Sequence, residues 1–186
     1  MKLLLVDNGS RLLEELEESL QEHEVSKVAF QELTNAAGFD AVILSGGSSL
    51  SVMKHEDEYK QELSLIRRSL VPMFGICLGF ELISYAFGEK LSWLEAKRTG
   101  VMRVKKLLND PIFKGVRNLD GFEAHRWGVK NVSKLIPLGV SKDGIEMVRH
   151  PERLIYGVQF HPEMWGDRIS GYKVLNNFLD IVKKNG

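Results

Sequence analysis

Three stretches of this 186-residue chain carry side chains whose types and spacing suit nucleophilic chemistry at a carbonyl. The first is Gly75-Ile76-Cys77-Leu78-Gly79. It stands between an apolar run expected as a strand, 71–76, and a segment of helical periodicity, 78–87, that closes at Gly88. A nucleophile placed there sits on a tight elbow at the carboxyl end of a strand, and glycines two before and two after it keep side chains from colliding. The dipole of the following helix favours a thiolate, and the free N–H of Leu78 can donate to an oxyanion beside the sulfur. Taken alone, the pentapeptide is equally the setting of a small buried hydrophobe, as most lone cysteines are.

The second stretch, Tyr156-Gly157-Val158-Gln159-Phe160-His161-Pro162-Glu163, is an apolar strand that delivers His161 and Glu163 just past its end. Pro162 keeps His161 extended, and residues two apart in an extended segment project to one side. The carboxylate can therefore orient the imidazole, which is the base and orienter that a cysteine nucleophile needs. An isolated His-Pro-Glu is more simply a surface pair at a strand end, and its company with the Cys77 elbow favours chemistry. The third stretch, Ser45-Gly46-Gly47-Ser48-Ser49, follows another expected strand, 39–44. Its glycines are turn residues or a loop whose N–H groups approach a substrate carbonyl, with Gly47 and Leu78 then completing an oxyanion hole. No Lys-Ser/Thr pair follows, so it is not a phosphate loop.

The elements that must hold these residues can be read from hydrophobic pattern. Leu3, Leu4, Leu5 and Val6 form a short apolar run that stops at Asp7-Asn8-Gly9-Ser10, as a strand buried on both faces does. Ser10 is expected to cap a helix with Leu12, Leu13, Leu16 and Leu20 on its apolar side. Val25, Val28 and Phe30 suggest a second strand, 55–69 a charged helix, and 170–184 a last helix that packs Val174, Leu175, Phe178, Leu179 and Val182. This alternation predicts an α/β fold, a mainly parallel sheet with helices on both faces. Between 100 and 160 short alternating segments, such as Val101, Arg103, Lys105 and Ile145, Met147, Arg149, predict antiparallel strands in the second half.

Composition bounds the functions. With 44% hydrophobic residues and no linker or repeat, 1–186 reads as a single domain. Lys and Arg number 25 against 25 Asp and Glu, so there is no basic field for nucleic acid or an anionic membrane. The single cysteine excludes a disulfide framework and fits a reducing compartment. No apolar run approaches the ~18 residues that span a bilayer, and the opening run is too short for a signal peptide, so a cytoplasmic protein is expected. His23, His55 and His150 lie in charged surroundings, and no His, Asp and Glu spacing suggests a metal ligand set.

Together V-D-N-G, L-S-G-G-S-S, G-I-C-L-G-F-E-L-I and I-Y-G-V-Q-F-H-P-E resemble the class I, or triad, glutamine amidotransferases over nearly the whole chain. The resemblance implies a flavodoxin-like core in which Cys77 attacks the side-chain amide of glutamine. His161 would serve as base and then as acid to the leaving ammonia, Glu163 would orient it, and the N–H groups of Gly47 and Leu78 would hold the oxyanion. The family usually has Gln four positions after the nucleophile, where it helps bind glutamine; Glu81 occupies that place here. The loop around His125 often contacts the bound glutamine, which puts Arg126 and Trp127 near substrate. N-D-P-I-F-K-G-V, E-A-H-R-W-G-V and I-E-M-V-R-H-P-E look most like the stand-alone glutaminase subunit of archaeal-type GMP synthase. Its partner would be an ATP-dependent synthase subunit that accepts ammonia, so that ATP and magnesium belong to the partner and this chain needs no cofactor. The glutaminase of anthranilate or aminodeoxychorismate synthase, a free-standing gamma-glutamyl hydrolase and a low-turnover regulatory protein of the same fold are the alternatives.

Overall fold

The computed structural model describes residues 1–166 and 169–185. Five short strands lie parallel: β1 (Lys2–Asp7), β2 (Glu24–Ala29), β3 (Ala41–Leu44), β4 (Met73–Ile76) and β9 (Ile155–Val158). Their order across the sheet is β2-β1-β3-β4-β9. Successive residues alternate between two apolar layers. Leu3 and Leu5 of β1 face the layer that α1 (Leu13–Ser19) and α4 (Tyr172–Asn185) cover with Leu16, Val174 and Phe178. Leu4 and Val6 face the layer that α2 (Lys60–Arg68) and α3 (Leu78–Ala86) cover with Leu63, Ile66, Phe80 and Ile83. Because both faces are dry, these strands are continuous apolar runs, and each leucine so buried contributes about 1.5–3 kcal/mol.

The rest of the sheet is built differently. β5 (Leu91–Lys106), β6 (Leu119–Val129), β7 (Ile136–Val140) and β8 (Ile145–Arg149) pair antiparallel, and β8 joins them to β9. β7 pairs with β8 as well as with β5, so the four strands close on themselves as a small ring. The α/β class is therefore present, but the sheet is mixed, where a mainly parallel one was expected. Closure needs pairings between strands distant in sequence, which an alternation pattern does not contain. Two smaller differences are local. Ser10 Oγ accepts from the Leu12 N–H at 3.1 Å in a turn, and α1 begins after it with Leu12 at its cap position and no side-chain cap. The charged helix starts at Lys60, later than position 55, because 52–59 is spent on turns. Among the described residues no helix is long and apolar enough to cross a membrane.

In an open parallel sheet the crevice lies beyond the carboxyl ends of the strands, at the place where the strand order reverses. Here that edge gathers Asn8 after β1, Ser45 to Gly47 after β3, Cys77 after β4 and Gln159 to His161 after β9.

Candidate active site

Cys77 joins β4 to α3 with φ 51° and ψ −103°, and it is the only non-glycine residue with positive φ among those described. A side chain in that region costs on the order of 1–3 kcal/mol, so its surroundings must impose it. They do so from both sides: the Cys77 N–H donates to the Val158 carbonyl at 2.8 Å, and the Cys77 carbonyl accepts from the Glu81 N–H at 3.0 Å. The flanking glycines answer a steric demand. A Cβ on Gly75 would lie 2.5 Å from the Gly79 carbonyl oxygen, and one on Gly79 2.5 Å from that of Leu44. Strand, elbow and helix are thus packed backbone against backbone.

His161 follows β9, and its N–H donates to the Phe122 carbonyl of β6 at 2.7 Å. Its Nδ1 lies 2.7 Å from Glu163 Oε1, with Glu163 fully buried. Burial alone would lower the imidazole, but the Cys77 sulfur and the Glu163 carboxylate push it up to about 10. The sulfur is thus near enough to His161 to be the largest influence favouring an imidazolium. Gly46 lies between the two: a Cβ there would be 3.0 Å from His161 Cε1 and 3.5 Å from Cys77 Cβ. A Cβ on Gly47 would collide with the Asn8 carbonyl oxygen and lie 2.5 Å from Leu78 Cδ2. The structure therefore brings Cys77, His161, Glu163, Gly47 and Leu78 together at one edge of the sheet.

The other expected site residues are placed less uniformly. Glu81 is buried, and its Oε1 accepts from Gln159 Nε2 at 3.3 Å. Burial pushes its carboxyl up to about 7, with Gln159 and His125 pulling it back. Arg126 and Trp127 are half-buried and pack on the exposed Trp93 of β5, the guanidinium 5.1 Å from the ring centroid and the two indoles edge to face at 5.1 Å. Among the described residues no side-chain hydrogen bond ties Arg126 or Trp127 to Cys77 or His161.

Three residues that the sequence reading passed over belong to the site. Gln159 is fully buried, and its Nε2 also lies 3.9 Å from Cys77 Sγ. A lone glutamine in an apolar strand was the available signal, because burying an amide without partners costs free energy. Asn8 donates through Nδ2 to the Ser45 carbonyl and to Glu62 Oε1, both at 3.1 Å, while its N–H donates to Ser45 Oγ at 2.9 Å. Glu62 of α2 is itself fully buried, and burial raises its carboxyl to about 8 despite the Asn8 bond. These two side chains brace the loop from behind. A further buried group, Glu123, His125 and Glu146, lies with its possible ligand atoms all within 4.8 Å of one another. Linear spacing gave no ligand set because one member comes from β8 and two from β6.

With this geometry in view, the kinship is plain. The family model of class-I glutamine amidotransferases matches residues 4–182, and the chain belongs to that family. Among its relatives, the glutamine-hydrolyzing subunit of GMP synthase from Methanothermobacter thermautotrophicus is 31% identical over 77% of this chain and 75% of that one. The protein of the same description from Pyrococcus abyssi is 30% identical over 96% of this chain and 97% of that one. A protein of Thermoplasma acidophilum proposed to be the same GMP synthase component shares the fold with a TM-score of 0.87 at 24% identity, over 100% of this chain and 95% of that one. A glutamine amidotransferase of Thermotoga maritima shares it with a TM-score of 0.74 at 16% identity, over 100% and 83%.

Proposed function

We propose that residues 1–186 form a single cytoplasmic glutaminase domain that hydrolyses glutamine and passes the ammonia to an ATP-dependent GMP synthase subunit. The observation that carries this reading is the strained Cys77 elbow facing a buried His161–Glu163 pair with 2.7 Å between Nδ1 and Oε1. The Cys77 sulfur attacks the side-chain carbonyl of glutamine, and the oxygen that gains charge is held by the N–H groups of Gly47 and Leu78. His161, protonated, gives its proton to the leaving nitrogen, and ammonia departs from a thioester. Water then attacks that thioester while His161 takes its proton, releasing glutamate and the free thiol. Glu163 keeps the imidazole in one orientation through both steps. The relatives described as the glutamine-hydrolyzing component of GMP synthase support the choice of partner. Binding and activation of the nucleotide, with ATP and magnesium, fall to that partner, and this chain works without a cofactor of its own.

The test is a glutaminase assay on the purified chain, alone and with a GMP synthase ATP-dependent subunit, with and without xanthosine monophosphate. Glutamate release that rises with the partner and yields GMP supports the reading. Release that is high alone and indifferent to the partner assigns a free-standing hydrolase instead. A Cys77→Ala chain that still releases glutamate would remove Cys77 from the mechanism.

A further inference from the structure

Away from the sulfur, the ring of antiparallel strands encloses a polar cluster that the glutaminase reaction does not use. β6 presents Glu123 and His125 on one face, two residues apart, and β8 sets Glu146 beside them. All three are 4% exposed or less. Two carboxylates beside one imidazole are not a stable content for a dry interior unless a positive charge joins them.

Each ligand atom is held in place from outside the cluster. His125 Nδ1 lies 2.6 Å from the Trp127 carbonyl, which fixes the hydrogen on Nδ1 and turns Nε2 inward. Metal-bound histidines are commonly oriented by such a bond. Ser141 Oγ donates to Glu146 Oε1 at 2.6 Å, which leaves Glu146 Oε2 with no partner. Glu123 Oε1 is likewise buried and unpartnered. Between His125 Nε2 and Glu123 Oε2 the distance is 3.4 Å. That is long for an ion pair, as the 2.7 Å of His161 and Glu163 illustrates. It matches the edge of a coordination tetrahedron, about 3.3–3.4 Å when each bond is ~2.0–2.1 Å.

We propose that Glu123, His125 and Glu146 form a binding site for a zinc-class divalent ion, a structural metal that clamps β6 to β8. One imidazole with two carboxylates suits zinc, and a cobalt ion can replace it as a spectroscopic probe. The site is separate from Cys77 and its tests do not depend on the glutaminase reading. Bound, the ion would fix the strand that leads into Arg126 and Trp127, because His125 holds the Trp127 carbonyl through its other nitrogen.

The experiment is metal analysis of the chain purified without a metal-affinity tag, followed by chelation and readdition. About one equivalent of zinc per chain is expected, or tight uptake of one equivalent when zinc is added. Chelation should lower the melting temperature by several degrees, and zinc should restore it. Cobalt should give the visible absorption of a four-coordinate site. Glu123→Gln should weaken uptake by tenfold or more, and Ser141→Ala, which leaves all three ligands in place, by a smaller factor; circular dichroism verifies that both are folded. A folded wild-type chain that takes up neither zinc nor cobalt stoichiometrically overturns the proposal. In that case a proton shared between Glu123 and Glu146 neutralises the cluster, and the infrared band of a protonated carboxyl should vanish in Glu146→Gln.

Discussion

The two halves of the sheet place buried polar groups by opposite means. In the parallel half the main chain does the positioning: Cys77, Gly46, Gly47 and His161 are held by carbonyls, amides and glycine contacts at strand ends. In the antiparallel ring the groups of interest, Glu123, His125 and Glu146, meet through their side chains across paired strands. A site built on backbone tolerates few changes of chain path and many of surface. One built on side chains across a ring depends instead on the charge it encloses, so the two halves should fail in different ways when altered.

The largest expected effect is on the parallel side. Cys77→Ala should abolish glutamate release, and Cys77→Gly should do so while remaining at least as stable in urea, since glycine adopts φ 51° without strain. A Cys77→Gly chain that is clearly less stable would mean that the elbow is not strained. Next, His161→Ala should lower turnover by ~10²–10⁴-fold, and Glu163→Gln by less; a loss under tenfold for His161→Ala would point to another base.

A pH series sharpens the contrast in charge. Burial holds the Glu62 carboxyl near 8 in the folded chain, against 4.5 when exposed, so the native state keeps a proton that the unfolded chain has lost between those values. Stability should therefore fall as pH rises through that window. Glu62→Gln should flatten the fall; equal slopes for both chains in urea unfolding at pH 5 and pH 8 would contradict the shift.

A glycine pair compares the two halves directly. Gly47→Ala drives a Cβ into a backbone oxygen, that of Asn8, and should cost about 1–3 kcal/mol together with activity. Gly139→Ala in the ring meets the Val104 side chain at 2.7 Å, which can turn aside, so it should cost less and spare turnover. The smallest effect expected is from Glu81→Gln, a change of a few-fold in KM for glutamine. It should also remove an inflection near pH 7 that the wild-type profile owes to a carboxyl held at about 7. An inflection that survives the substitution would assign it to another group.

What could be read from the sequence follows the same division. Cys77, His161 and Glu163 stand in contiguous motifs whose geometry is local: an elbow with its glycines, and an extended His-Pro-Glu. The parallel strands and their helices were legible because burial on both faces writes itself as unbroken apolar runs. The ring was not, since β5 reads as ordinary charged alternation over 16 residues and its closure depends on β7 meeting β8. Asn8 with Glu62, Glu81 with Gln159 and Glu123 with Glu146 escaped for one reason. Each pair is joined by the fold across tens of residues, and a buried carboxylate looks like a solvated one until its neighbours are known.

The two reacting groups are anchored to different parts of the molecule. The sulfur is locked where β4 enters α3, while the imidazole hangs from β6 through the 2.7 Å bond to the Phe122 carbonyl. A force on the ring thus reaches the base and leaves the nucleophile where it is, so the gap between them can be adjusted as a lever is, by a load applied far from the fulcrum. A protein that grips the ring would hold the handle of that lever. Turnover could then be matched to the arrival of an acceptor with no new group added to the site.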